Sequence, residues 1–335
     1  MLKRSFILYF VLLFAFSAYL IASALLPGQR VKQLILAHNL NEVHPIHKGV
    51  IHFSEKLREL SSGRIQVKLY PNAQLGNERE VIELLQIGAV SLTKVSSLSL
   101  EAFEPLYATI NLPYIFRDRA HYFSVLDGSI GREILLASMN KKFIGLTFFD
   151  AGVRSFYAHK PILSPSDMKG LKMRVLTSKS AIEMVKALGG SPVPTPYSEV
   201  YTALQQKVID AAENNPLALT VNRHGEVAKH YSLNEHAMQP DVFIMSAKLW
   251  RSFSNKEREW VQEAARSASL YQRDLWLKGE VEAMRIAQEE LGVKVYRPNK
   301  EPFIKLVTPL HEVVAARGER FKEIIDGIKA DSGSN

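Results

Sequence analysis

The chain predicts an α/β protein of two lobes, and three observations carry that expectation. Short β-like runs alternate with amphipathic helical spacings along most of its length. The series is written twice, with an apparent return to the first unit at Val242-Phe-Ile-Met245. No glycine- or serine-rich linker separates the units, so any junction must consist of strands or helices that cross over. Two crossings are what a hinged pair of lobes requires.

Taken in order, Lys32–Ala37 reads as the first strand, followed by a helix from Pro45 to Leu60 that Ser62-Gly63 breaks. Arg64–Tyr70 alternates polar and apolar residues as a half-buried strand does, and Pro71-Asn72 turns it. Glu78–Ile87 has helical spacing, Ser91–Val95 is strand-like, and Phe143–Phe149 reads as a buried strand. A second series runs from Gly152 to about Gln239. From Ser254 to Leu291 there is no proline and one internal glycine, Gly279, with Gly292 placed as a stop. Val261, Ala264, Ala268, Tyr271 and Leu275 recur at helical spacing, which predicts either one helix of unusual length able to span both lobes or two helices broken near Lys278-Gly279. The expected organisation is residues 25–151 with 240–280 in lobe I, 152–239 with 281–330 in lobe II, and a disordered tail at 331–335.

The N-terminus bears on compartment. Met1-Leu-Lys-Arg4 is basic, Ser5–Ile21 is almost wholly apolar, and Ala22-Ser-Ala24 offers a small-residue cleavage site. That is the layout of a secretory signal peptide over 1–24, implying a periplasmic protein; an uncleaved anchor is the alternative. At 335 residues, 47% of them hydrophobic, the chain can bury one large core or two medium ones. The absence of cysteine excludes thiol catalysis, thiolate metal sites and a lipoprotein anchor. The formal charge of +8 becomes +6 once Lys3 and Arg4 leave, and it is spread among interleaved acidic residues. Nucleic acid is therefore not an expected partner. No phosphate-binding glycine loop, Gly-x-Ser-x-Gly elbow or His-Glu-x-x-His motif occurs, and no cofactor is expected. His38, His44 and His47 lie within ten residues, but His44 and His47 bracket Pro45-Ile46 at a helix start and Glu42 makes no ligand spacing with them, so no metal is expected.

The residues that point to chemistry are two arginines twenty positions apart, Arg154 and Arg174, and the segment Ile209-Asp-Ala-Ala-Glu-Asn-Asn-Pro216. Each follows a short apolar run, where α/β proteins display ligand-contacting groups. A guanidinium offers a planar fork of donors that matches a carboxylate. Arg174, in a lobe that must otherwise stay apolar, needs an anionic partner; residue type alone allows either an internal Asp or Glu or a bound acid.

Several motifs then narrow the reading. Gly152-Val-Arg-Ser-Phe-Tyr, Ser164–Val175, Ala187–Gln206, Glu213-Asn-Asn-Pro216 and Leu69–Arg79 appear in an order that resembles the substrate-binding proteins of TRAP (tripartite ATP-independent periplasmic) transporters. The resemblance runs from about Leu34 to about Pro302. It implies the two-lobed, type II-like periplasmic solute-binding fold with crossover strands and a long helix bridging the lobes. It also implies no catalytic activity, a small organic acid as ligand and the TRAP membrane permease as partner. A monomer is expected.

Residue by residue, the resemblance places the family's carboxylate-binding arginine on Arg174, a more variable carboxylate contact on Arg154 and the family's asparagine on Asn214. Asn215 doubles it, as in members that take sugar acids, although a residue before proline can be a simple turn. Asn39, Glu78 and Tyr197 carry over as polar or stacking contacts. Ser96 stands where sialic-acid-type members have a glutamate, and Glu235 and His236 precede the return to the first lobe. Asn39, Glu78 and Ser96 are expected from one side of the cleft and Arg154, Arg174 and Asn214 from the other. Lys207 and Ala211 depart from positions that are often glycine in the family, and a left-handed Lys207 would cost about 1 kcal/mol. The departure at Ser96, with Glu78 and Glu235 retained, suggests a hydroxyl-rich acid with one carboxylate, such as glucuronate or galacturonate, rather than a C4-dicarboxylate. The rival readings are a secreted enzyme on an acidic sugar, with Glu78 or Glu235 as acid/base, and a membrane-tethered sensor domain.

Overall fold

The computed structural model describes residues 31–332. The expected signal peptide at 1–24 and positions 333–335 of the expected tail lie outside the described residues.

Two sheets organise the chain. The first takes β1 (Lys32–Ala37), β2 (Ile65–Tyr70), β3 (Leu92–Ser96) and β4 (Phe143–Phe149). The second takes β5 (Arg154–Ala158), β6 (Lys172–Val175), β7 (Ser191–Pro194), β8 (Ala211–Asn214) and β9 (His230–Ala237). The chain then returns to the first sheet through β10 (Asp241–Ser246) and finishes the second with β11 (Lys294–Tyr296). Strand order is β2-β1-β3-β10-β4 in one lobe and β11-β9-β5-β8-β6-β7 in the other. In both sheets the strand nearest a crossing is antiparallel to its neighbours: β10 against β3 and β4, β5 against β8 and β9. The crossings therefore run from β4 into β5 and from β9 into β10, and both deliver strand ends to the space between the lobes.

Local sequence accounts for the elements around that space. In the helix Pro45–Leu60, Pro45 occupies the first turn, the His44 ring accepts from the Ile46 N–H, and Ile46, Val50, Phe53 and Leu57 form one buried stripe. The helix Glu78–Ile87 opens on an Asn77/Glu80 capping box and stops at left-handed Gly88. Ser254 and Glu257 make a second capping box, and from it a single helix runs unbroken through Asn255–Glu289. Gly279 does not interrupt it, since an internal glycine costs only about 1 kcal/mol. The helix is roughly 50 Å long at about 1.5 Å per residue. Val261, Ala264, Ala268, Trp276 and Ala283 pack with first-lobe residues such as Leu36, Phe53 and Phe243, while Ala287 packs with Tyr157 and Tyr231 of the second.

The expected assignment of 281–330 to the second lobe needs correction. Phe303 and Val307 do join Phe156 and Met173 there. Beyond Thr308, however, Val314, Ile324, Ile325 and Ile328 pack with Val95, Tyr122, Phe143 and Val242 of the first lobe. The helix Glu319–Ala330 carries its isoleucines on one face, and the exposed flank of the first lobe's core is what that face covers.

At the first crossing, Gly152 adopts φ +68°. A Cβ there would lie 2.8 Å from Trp276 Nε1 and 2.9 Å from Glu280 Oε1, so the position requires glycine on two grounds. Lys207 does sit in the left-handed region, at φ +57°.

Candidate functional site

Between the lobes lies a crevice of about 470 Å³. Eight of the ten residues singled out in the sequence line it: Asn39, Glu78, Ser96, Arg154, Arg174, Tyr197, Asn214 and Asn215. Strand ends explain the convergence. Asn39 lies just past β1, Ser96 ends β3, Arg154 begins β5 and Asn214 ends β8, with Ser155 and Asn214 in register.

The second-lobe wall holds both arginines, in different states. Arg154 is 5% exposed and its fork is taken up internally. Nε donates to Glu213 Oε2 at 2.5 Å, Nη2 to Glu213 Oε1 at 2.8 Å, and Nη1 to Asn214 Oδ1 at 2.9 Å. Burial pushes the Glu213 carboxyl up, but Arg154 outweighs it and, helped by His236, brings it down to about 2. The expectation of two free forks gripping a ligand is thus corrected: Arg154 is spent mainly on Glu213.

Arg174 is fully buried and, among the described residues, has no carboxylate partner. Its Nε and Nη2 both donate to the Thr195 carbonyl, at 3.0 and 2.7 Å, and its Cζ lies 5.7 Å from the centre of the Tyr197 ring. Burial pulls its pKa down, the direction expected of a cation lacking full compensation. A buried guanidinium bonded only to a neutral carbonyl is open to an anion. Of the two outcomes that residue type allowed for Arg174, an internal ion pair is therefore absent among the described residues.

The asparagines divide the same way. Asn214 accepts from Arg154 and from the Asn215 N–H, which leaves its amide Nδ2 as a donor beside the crevice. Asn215 is occupied: Oδ1 caps the helix Pro216–Thr220 at the Leu217 N–H, and Nδ2 holds the Ala151 carbonyl at the first crossing. Tyr197 donates its hydroxyl to Asn222 Oδ1 at 2.8 Å.

The first-lobe wall contains residues that the sequence reading missed. Lys94 is 2% exposed in the middle of β3, and its ammonium lies 3.0 Å from Asp241 Oδ2 and 3.5 Å from Glu78 Oε1. Glu78 also accepts from the Ser96 N–H and from Ser99 Oγ. Asn39 lines the crevice with a buried Oδ1 that has no hydrogen-bond partner, and Trp276 lines it with an equally unpartnered Nε1–H. Buried polar atoms are usually paired, so both are available to a polar group that enters the crevice. A signal for Lys94 and Asp241 was present: each adjoins apolar residues of a buried strand, where a charge demands a partner.

Glu235 and His236 do not line the crevice. Glu235, at φ +50°, is turned to Lys300 and forms an ion pair with it. His236 is buried behind the site, stacked on Phe156 and 3.4 Å from Glu213. They follow one another near the C-terminal end of β9, no residue of which lines the crevice. Among the described residues no group of three His, Asp or Glu side chains is placed to hold a metal. Instead the Leu40 N–H donates to His38 Nδ1, so His38 Nε2 carries the proton and donates to His47 Nδ1 at 3.0 Å. Among the same residues no helix is long and apolar enough to cross a membrane.

Comparison with known proteins gives the same architecture. Residues 36–317 match the family described as bacterial extracellular solute-binding protein, family 7. The YiiZ protein of Salmonella typhimurium is 37% identical over 289 residues, 85% of this chain and 87% of that protein. A TRAP periplasmic solute-binding protein from Xanthobacter autotrophicus, solved with bound β-D-galacturonate, superposes with a TM-score of 0.87 at 38% identity, covering 90% of this chain and 100% of the other. One from Anaerococcus prevotii, solved with bound D-glucuronate, gives 0.87 at 35% identity over 89% and 97%. With two lobes, strand crossings, a bridging helix and a polar crevice between them, this chain belongs to the family 7 extracellular solute-binding proteins, the binding proteins of TRAP transporters.

Proposed function

We propose that the protein captures a hexuronate, glucuronate or galacturonate, by closure of its two lobes and delivers it to a TRAP membrane permease. The observation that carries the ligand class is Arg174, a buried cation with no carboxylate partner among the described residues, at the wall of the crevice between the lobes. One such cation suits one carboxylate. The remaining open groups are neutral or anionic: Asn39 Oδ1, the Asn214 amide, the Trp276 indole N–H and the Asp241 carboxylate beside Lys94. They suit hydroxyls better than a second acid. The relatives solved with glucuronate and galacturonate support the same class.

A ligand touching both walls binds the closed arrangement better than the open one, and closure follows from that difference in affinity. We further propose export by the N-terminal segment, with a mature chain beginning at Leu25, and a monomeric state. Mass spectrometry of the exported protein and light scattering of the purified one test these. Calorimetric titration with glucuronate, galacturonate, succinate and malate tests the ligand class: tightest binding and unit stoichiometry are expected for a uronate. Preference for the diacids ends the proposal.

A further inference from the structure

The acidic groups of the first-lobe wall are not equivalent. Glu78 is engaged on both oxygens, by the Ser96 N–H, the Ser99 hydroxyl and Lys94. Asp241 uses only Oδ2, which accepts from Lys94 at 3.0 Å. Among the described residues no side chain hydrogen-bonds its Oδ1, and the residue lines the crevice. Position fixes it there. Asp241 begins β10 directly after the second crossing and pairs with Ser96 on one side and Phe149 on the other. Its backbone is thus held by two ladders, and its carboxylate cannot retreat without breaking the Lys94 contact.

Charge adds a second argument. One ammonium, Lys94, stands between two carboxylates, so the first-lobe wall carries one uncompensated negative charge. Across the crevice Arg154 and Glu213 cancel, and Arg174 leaves the opposite wall one uncompensated positive charge. An anion carrying hydroxyls at its far end fits that polarity in one orientation. A second carboxylate at the far end would face Asp241 in a confined space, where like charges repel strongly.

We propose that Asp241 is the specificity-determining residue: Oδ1 accepts hydroxyl protons from the end of the ligand remote from its carboxylate, and its charge excludes diacids of the same length. Glu78, the residue the sequence suggested for this task, positions Ser96, Ser99 and Lys94 instead. The assignment rests on the monocarboxylate reading above and deepens it.

The test is calorimetric titration of wild type, Asp241→Asn and Glu78→Gln with D-galacturonate and with galactarate, in which the anomeric carbon is replaced by a second carboxylate. Hydrogen bonds to a charged acceptor predict that Asp241→Asn weakens galacturonate by ~10- to 100-fold. The same substitution should narrow the galacturonate-to-galactarate ratio by ~10-fold or more, while Glu78→Gln leaves that ratio within about 3-fold of wild type. If Asp241→Asn fails to fold because Lys94 loses its partner, the double variant Lys94→Gln/Asp241→Asn removes the stranded ammonium and should still weaken galacturonate by ~10-fold or more, since the hydroxyl acceptor is gone. A wild type that binds galacturonate, with a ratio indifferent to Asp241 or set by Glu78, overturns this assignment alone. A wild type that binds neither uronate takes down the proposed function with it.

Discussion

The two walls of the crevice use the same residue types to opposite ends. On the second-lobe wall stand two guanidinium groups and one carboxylate, Glu213, which Arg154 takes, so the cation left over is Arg174. On the first-lobe wall, two carboxylates share one ammonium, Lys94, and the anion left over is carried by Glu78 and Asp241. Each wall is nearly neutralised from within, which keeps the buried charges tolerable. Each is also left one partner short, in opposite senses. A site built this way is selective for a ligand that is acidic at one end and rich in hydroxyls at the other.

The largest expected effect follows from removing the cation in excess. Arg174→Ala should weaken uronate binding by about 10² to 10⁴, the cost of leaving the ligand's carboxylate buried and unpaired. Its effect on stability should be much smaller, because the guanidinium makes no internal ion pair whose loss would strand a charge. Calorimetry and thermal melting on the same sample separate the two. Unchanged affinity would refute the role given to Arg174.

Glu213→Gln makes the second-lobe wall unlike its counterpart by leaving two cations in excess. Breaking a buried, doubly hydrogen-bonded pair is expected to cost about 3–5 kcal/mol of stability, readable in a denaturant titration. If the variant remains folded at low temperature, its relative affinity for malate or succinate should rise, since Arg154 then has its fork available. A variant equally stable and equally selective would mean that Glu213 does not neutralise Arg154 in solution.

The second-lobe wall was the legible one. Arg154, Arg174 and Asn214 sit in motifs whose order and spacing are distinctive, and all three reach the crevice from strand ends. What the residues could not reveal was that Glu213, one position before Asn214, would claim Arg154. Arg154 reaches both residues only because β5 pairs with β8, with Ser155 opposite Asn214, which is a long-range fact. The first-lobe wall was less legible for the same reason. Lys94 and Asp241 are 147 positions apart and meet only because β10 returns between β3 and β4. Glu235 and His236 miss the cleft because each is drawn to a partner distant in sequence, Glu235 to Lys300 and His236 to Phe156 and Glu213. The long helix was readable, since its period and caps are local. The docking of 309–330 on the first lobe was not, because an amphipathic face does not name what it covers.

Acid should loosen both lobes, and the sign can be worked out. Burial first, then Lys94, hold the His38 ring down to about 3, and burial and Arg174 do the same for His224. Between pH 6.5 and 3 the unfolded chain binds protons that the folded chain does not, so stability falls as pH falls through that window. At pH 5 the loss is about 2 kcal/mol per imidazole. Glu213, held at about 2, loses its contribution in the same direction below about pH 4.5. The melting temperature is therefore expected to be flat above pH 7 and to decline steadily below 6.5. His38 belongs to the first lobe and His224 to the second, so His38→Gln and His224→Gln, each melted at pH 5 and pH 8, sharpen the comparison by showing which lobe yields first. A melting temperature that does not change between pH 8 and pH 5 would rule out neutral buried rings in either.

The smallest effect is expected at the joint between the walls. Gly152→Ala places a Cβ at φ +68°, where an L-residue costs about 1–2 kcal/mol. It also sets that Cβ against Trp276 Nε1 and Glu280 Oε1 on the bridging helix. Trp276 then has to shift, and its indole N–H is one of the groups left open in the crevice. The variant should melt a few degrees lower and bind a uronate more weakly by less than about tenfold. It should keep the preference for uronates over diacids, because the residues that set it, Arg174 and Asp241, stay in place. A change in that preference would show that selectivity depends on the angle between the walls as well as on the charges they carry.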